Sequence, residues 1–324
     1  MENDNRAEVP VPLVVAAQED GDDDRPAAAA ADGPPRNPMG PHGVGRMELS
    51  SESREFSQAW NLVNALLVET EPKQTPLKSD FEYVQFAIAE PTDVEAALER
   101  ISMLQHFRSE HRIQDTVHDG VMAVLEAMTL FPGFLLSLSF TSTDTAGEHY
   151  TLAMDSAKLN ARLLARPDGH PKAALAKAMY YILQAANPDL EAMRQGLLCF
   201  IECNGFDWKK HLTVALFQET HNDIVLFYPT RWYQANHFHT GFFYNMVMAM
   251  GRPFLSEQLR QKIRMGCVSP AGRLNRIYLQ PNLHTANERF LGRLNDALHR
   301  RYANEVSFVL RPPDSSNDDG NGDD

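Results

Sequence analysis

Residues Phe227 to Gly266 read FYPTRWYQANHFHTGFFYNMVMAMGRPFLSEQLRQKIRMG, a methionine-rich apolar segment between a short strand-like run and a basic one. Phe242, Phe243, Met246, Val247, Met250 and Phe254 recur at spacings of one, three and four, which predicts a helix with one broad apolar face buried against the rest of the protein. Pro253 lacks the N–H that a continuing helix needs, and Ser256 is placed to cap a second helix carrying Arg260, Lys262 and Arg264. Apolar surface beside positive charge suits a membrane, where basic side chains meet anionic headgroups and the apolar face meets acyl chains. A core helix followed by a solvated one gives the same pattern.

Working outward, the pattern predicts helices over Ser50 to Val68, from a Ser79 or Asp80 cap to Pro91, from a Thr92 or Asp93 cap to about Arg112, and over Thr116 to Leu130, with a linker at Pro72 to Leu77. Phe134 to Phe140 and His149 to Met154 read as strands around a polar turn, Thr141 to Gly147. A long helix over Pro171 to Asn187, a buried strand over Leu197 to Cys203, a helix over Thr213 to Phe227 and a strand over Ala235 to His239 follow. Residues 274 to 280 offer an edge strand and Asn287 to Tyr302 a closing helix. Strands alternating with helices of this length make an α/β protein with a mixed sheet covered by helices.

The ends have another character. Residues 1 to 50 contain three consecutive aspartates from Asp22, five alanines from Ala27 and prolines at Pro34, Pro35, Pro38 and Pro41; 312 to 324 read PPDSSNDDGNGDD. Both read as disordered acidic tails. The division is therefore 1–50 tail, 51–131 helical lead-in, 132–311 mixed α/β body and 312–324 tail. The first tail has ten acids and four bases, and the last five acids and no base, so they hold most of the net charge of −13 and leave the body near −2. A nearly neutral body argues against nucleic acid, with room for a local basic patch around Arg252, Arg260, Lys262, Arg264, Arg273 and Arg276. Three cysteines, Cys199, Cys203 and Cys267, make no disulfide framework and suit a reducing compartment. With no secretory or transit pattern and no apolar run of about 20 residues, the expectation is a cytoplasmic protein with peripheral, reversible membrane contact.

Catalytic motifs are missing: there is no G-x-S-x-G elbow, H-E-x-x-H pair or Walker loop, so no enzyme is expected. His237 and His239 share one face of their predicted strand, a spacing that metal ligation permits, but without a third ligand nearby no metal site is expected. Cys199 and Cys203 read as buried, inert thiols. Glu202, acidic at the end of a buried strand, needs a partner and reads as structural.

Three segments together resemble the CRAL-TRIO lipid-binding domain of tocopherol, retinaldehyde and phospholipid carriers. The first is Tyr228-Pro229-x-Arg231 followed by the aromatic helix and PFLSEQLRQKIRMG, with Pro253, Phe254, Leu255, Lys262, Ile263 and Gly266 as landmarks. The second is Leu197 to Gly205, LLCFIECNG, with Glu202 where an aspartate is commoner. The third, Phe81 to Ile113, resembles the family's helical lead-in at Phe86, Ala89, Asp93, Val94 and Ala97. The resemblance covers Pro76 to Gly266.

The resemblance implies a carrier without enzymatic activity or cofactor other than a bound apolar lipid, held in a cavity between sheet and helices. It implies a gate made of Phe242, Phe243, Met246, Val247, Met250, Phe254 and Leu255, and a headgroup-facing surface of Arg260, Lys262 and Arg264. Phosphatidylinositol binders of the family carry an arginine, a glutamate and a threonine where this chain has Glu90, Thr230 and Leu259; only Lys262 is kept. The family's leucine-proline and paired-glycine segment is also missing from Cys267 to Pro281, CVSPAGRLNRIYLQP. The alternatives are an interaction module that keeps the fold and docks a protein through its acidic tails or basic helix, and a hydrolase acting on an apolar ester.

Overall fold

The computed structural model describes residues 53–69, 77–90, 93–143, 147–207, 209–211, 228–255, 257–267 and 283–310, all within one unit, Gly43–Asp324. Among them, α1 (Arg54–Glu69), α2 (Asp80–Ala89), α3 (Val94–Glu110) and α4 (Val117–Leu130) precede the sheet. Side-chain caps start two of these, at Asp93 as the sequence predicts and at Thr116, whereas Ser79 stands at the cap of α2 without a side-chain cap bond. The Asp93 carboxylate accepts from the Ala96 N–H at 2.9 Å, and the Thr116 hydroxyl accepts from the Asp119 N–H at 3.1 Å. Helix α2 ends at Ala89, ahead of Pro91.

The strands β1 (Leu135–Thr143) and β2 (Gly147–Asp155) form an antiparallel hairpin. Then come the short α5 (Ala161–Leu164), α6 (His170–Ala185), α7 (Leu190–Gln195), β3 (Leu197–Glu202) and β4 (Trp232–Phe238). Helix α8 (Phe242–Gly251), a 3-10 turn at Arg252–Phe254, α9 (Glu257–Lys262), β5 (Ile263–Cys267) and α10 (Leu283–Ser307) complete the described elements. The protein is α/β, with a five-stranded mixed sheet in the order β1-β2-β3-β4-β5, parallel from β2 onward.

Parallel register fixes what each face offers. Leu152, Cys199, Ala235 and Ile263 form one row across the sheet; Met154, Ile201 and His237 form the next on the same face. β3 and β4 are drawn together at their start by Gly196, whose φ of +83° only glycine adopts freely and where a Cβ would sit 2.7 Å from the Arg231 carbonyl oxygen. The Leu197 N–H donates to that same oxygen at 2.8 Å.

The lead-in helices share one apolar core with the sheet, α6 and α10, including Phe81, Phe86, Ile101, Leu104, Leu138, Leu152, Tyr180, Tyr181, Leu197 and Leu298. Two buried guanidinium groups run through it. Arg108 pairs with Glu82 and donates from Nε to the Tyr180 hydroxyl at 2.8 Å. Arg301, fully buried, donates to the Asn187 carbonyl at 3.0 Å and to Gln85 Oε1 at 2.7 Å, and lies 4.5 Å over the Phe81 ring. Gln85 in turn donates to the Pro229 carbonyl at 3.0 Å, and Arg100 to the Tyr228 carbonyl at 2.7 Å. These side chains fasten the segment leading into β4 to the lead-in.

Several expectations are corrected. The basic helix stops at Lys262, and Arg264 lies on β5 opposite Asn236. The edge of β4 leaves backbone groups that need partners, and Gly266, at φ +65°, breaks any helical continuation. β1 and β2 extend into the expected turn because Thr141 and Thr143 pair with His149 and Gly147. β4 begins at Trp232 and stops at Phe238; His239 turns to φ +48°. The closing helix is longer than predicted at both ends. The helix over 213–227, the edge strand over 274–280, the Ser256 cap, most of the 72–77 linker and both tails lie outside the described residues.

Candidate functional site

Asn245 is the single strongly polar residue of α8, so the helix is apolar on nearly every side. Tyr244, Val247, Met248 and Gly251, at i, i+3, i+4 and i+7, turn inward. With Leu255, the first three of these pack on Cys203 and Phe206 in a second, small apolar cluster, while Ile201, Trp232 and Ile263 border both this cluster and the main core. The Tyr244 ring meets the Phe206 ring edge-on at 4.9 Å.

The stripe singled out in the sequence therefore divides. Val247 and Leu255 are buried. Phe243, Met246 and Met250 lie along the outer side with Phe242 beside them: Phe242 is 77% exposed, Phe243 50% and Met250 45%, with Met246 half-buried. The Phe242 and Phe243 rings pack edge-on at 5.6 Å. The expected burial of this whole stripe is corrected: the helix has two apolar sides, and the pleated sheet receives the other one. Phe254 lies in the 3-10 turn, and its side chain is outside the described residues. Lys262 and Arg264 are exposed on either side of Ile263, Arg260 is half-buried one turn earlier on α9, and Arg252 is exposed at the end of α8.

Polar contacts tie α8 to the ends of the parallel strands. His237 Nδ1 is hydrogen-bonded with the Tyr244 hydroxyl at 2.6 Å. Burial pushes the His237 imidazole down to about 4 and, with Cys203 alongside, pushes the Tyr244 phenol up. Glu202 Oε1 accepts from the N–H groups of Cys203 at 3.0 Å and Asn204 at 2.8 Å, and both its oxygens lie 3.0 Å from His239 Nδ1. The two histidines thus do not share a face, because the positive φ of His239 ends the alternation, and each has its own partner. Cys199 sits in the main core and Cys203 in the second cluster; burial pushes both thiols up to about 12.

Sequence reasoning missed Tyr244, Met248 and the roles of His237 and His239. The i, i+3, i+4, i+7 spacing of the inner stripe was a usable signal, masked by an outer stripe of equal apolarity. Elsewhere an open groove of about 620 Å³ runs between α3 and α6, lined by Met103, His106, Phe107, Glu110, His111 and Lys172 among others. It shares no residue with α8, and its two histidines, glutamate and lysine make it unlike an apolar pocket. No described helix is long and apolar enough to cross a membrane.

Residues 158–268 match the family model of the CRAL/TRIO domain. The match runs from the turn after β2 through β5 and so contains β3, β4, α8 and the basic segment, while the lead-in resemblance over Phe81 to Ile113 lies outside it. No curated protein matches the chain.

Proposed function

We propose, from the premise that this chain belongs to the CRAL/TRIO family of lipid-binding and lipid-transfer proteins, that it holds an apolar lipid beneath α8 and exchanges it at a membrane surface without performing chemistry on it. The observation carrying this reading is α8 itself. Its inner stripe covers a small apolar cluster, while its outer stripe leaves Phe242, Phe243 and Met250 in water. A helix apolar on both sides has somewhere to go when a membrane arrives, since the outer residues gain acyl contact as the inner ones lose protein contact.

In this reading Val247 and Leu255 line the lipid side of the gate. Phe242, Phe243, Met246 and Met250 form its membrane side, Phe254 belongs to the same gate, and the methionines repack cheaply around guests of different shape. Arg260, Lys262 and Arg264 meet anionic headgroups. The body at 132–311 encloses the lipid, and the lead-in at 51–131 fastens the segment from Tyr228 to Thr230. Carriage through water requires a cover because each exposed methylene forfeits about 0.8 kcal/mol.

Organic extraction of natively purified protein followed by mass spectrometry tests the reading. A stoichiometric apolar compound is expected; folded protein that yields none from its source and takes up none from mixed lipid vesicles would contradict it. Reversing Arg260, Lys262 and Arg264 to glutamate is expected to weaken binding to anionic vesicles at low salt by tenfold or more, with the difference shrinking as salt rises. Binding that the reversal leaves unchanged places the headgroup surface elsewhere.

A further inference from the structure

Charge is unevenly laid out along this chain. From Arg231 to Cys267 there are five bases, Arg231, Arg252, Arg260, Lys262 and Arg264, and one acid, Glu257. The fold sets Arg231, Arg252, Lys262 and Arg264 at the surface and leaves Arg260 half-buried. Pairing of β5 with β4 places Arg264 opposite Asn236, so the cationic run borders a strand, Trp232–Phe238, without a formal charge of its own. A stretch of net charge +4 within a body near −2 is a focus of positive potential and draws anions to itself.

Residues 312–324, PPDSSNDDGNGDD, supply the complement: Asp314, Asp318, Asp319, Asp323 and Asp324, with no base and, apart from two prolines, no apolar side chain. Negative charge is what such a segment offers a surface. Its starting point is fixed. The Leu310 N–H donates to Asp80 at 2.8 Å at the head of α2, and Gln85, five residues on, donates to the Pro229 carbonyl at 3.0 Å just ahead of β4. Followed along α2 and then β4, the route from Leu310 to Lys262 is about 40 Å. Residues 311–324 span up to about 46–50 Å when fully extended. The groove between α3 and α6, where Lys172 is set against Glu110, has no comparable excess of positive charge.

We infer that the cationic surface of Arg252, Arg260, Lys262 and Arg264 is a docking site for the acidic segment 312–324 of the same chain, which competes there with anionic headgroups. The inference rests on the headgroup role of these cations in the carrier reading and adds its regulation: a membrane must displace the aspartates before it meets the cations. Without apolar side chains beyond its prolines, the segment does not compete for the outer stripe of α8, so the competition concerns headgroups alone.

The test compares the full chain with one carrying Asp314→Asn, Asp318→Asn, Asp319→Asn, Asp323→Asn and Asp324→Asn, a change that keeps the segment's length and touches no core residue. Without vesicles and at low salt, the backbone amide resonances of 260–264 are expected to differ between the two chains while those of α4 coincide. The difference should fade as salt rises and should not depend on protein concentration. On vesicles of phosphatidylcholine and phosphatidylserine the asparagine chain is expected to bind about fivefold more tightly at low salt, and on phosphatidylcholine alone the two should bind equally. Tighter binding with unmoved resonances at 260–264 is a bulk charge effect and overturns the contact, as do resonances that move only elsewhere. A difference that grows with protein concentration gives the site to the segment of a second copy and overturns docking within one chain. Moved resonances in a protein that binds neither kind of vesicle leave the aspartates seated on the cations and overturn the headgroup reading instead.

Discussion

Around Arg301 the interior holds a full charge against two acceptors and a ring face; beneath α8 it holds an imidazole that burial keeps neutral and that is bonded to a phenol. The first region joins α2, α10 and the segment before β4 through a core that spans lead-in and sheet. Among the described residues, the second rests on six buried residues and one side-chain bond from α8 to β4. The two regions thus differ, among those residues, in how many buried contacts hold them, and elements held by fewer open at lower cost.

The largest expected effect breaks the first region. Arg301→Ala strands Gln85 and the Glu305 carboxylate, whose pKa burial already raises against the pull of Arg301. A loss of about 3–5 kcal/mol in urea unfolding is expected, as for one partner removed from a buried ionic network; a loss under about 1 kcal/mol would show that the first region does not depend on it.

Next in size is acid. The unfolded His237 titrates near its ordinary value of about 6.5, while the folded side chain is pushed down to about 4. Between those values the unfolded chain binds the proton and the folded one does not, so stability is complete above pH 6.5 and is lost as pH falls toward 4, by about 3 kcal/mol in all. Hydrogen exchange in α8 accelerates through that window in the unaltered protein. It stays flat in His237→Gln if the histidine is the sensor, and an unchanged acid response in that variant assigns the effect to another group.

Replacing Phe242 and Phe243 together with aspartate acts on exposed side chains, so thermal stability should hold within about 1 kcal/mol. Vesicle binding should fall by tenfold to a hundredfold, the equivalent of about 1.5–3 kcal/mol of apolar burial. Full binding after the double change would mean that the outer stripe does not touch lipid. The smallest effect sharpens the boundary between the regions: Val247→Ala should cost about 1–2 kcal/mol, appearing as faster exchange in α8 with α10 unchanged. Equal acceleration in both would show a single cooperative unit.

Much of this architecture is legible in the sequence because it is written locally. Asp93 and Thr116 announce their helices, Pro91 and Pro253 end theirs, and the apolar run at Leu197 marks a strand covered on both faces. What depends on distant partners is not. EQLRQKIR has helical spacing throughout, and only the open edge of β4 converts Ile263 and Arg264 to strand. In HRRY, Arg301 looks like solvated charge until α10 is packed against Gln85, 216 residues earlier. The sides of α8 are equally greasy, so hydrophobicity alone could not say that Tyr244 faces the sheet and Phe243 the solvent.

The most direct measurement is the transfer of a fluorescent fatty alcohol from donor to acceptor vesicles in real time. Transfer should rise in proportion to protein concentration, and the paired aspartates at Phe242 and Phe243 should abolish it while leaving the protein folded. A transfer rate equal to the spontaneous one at every protein concentration would contradict a lipid carried beneath α8.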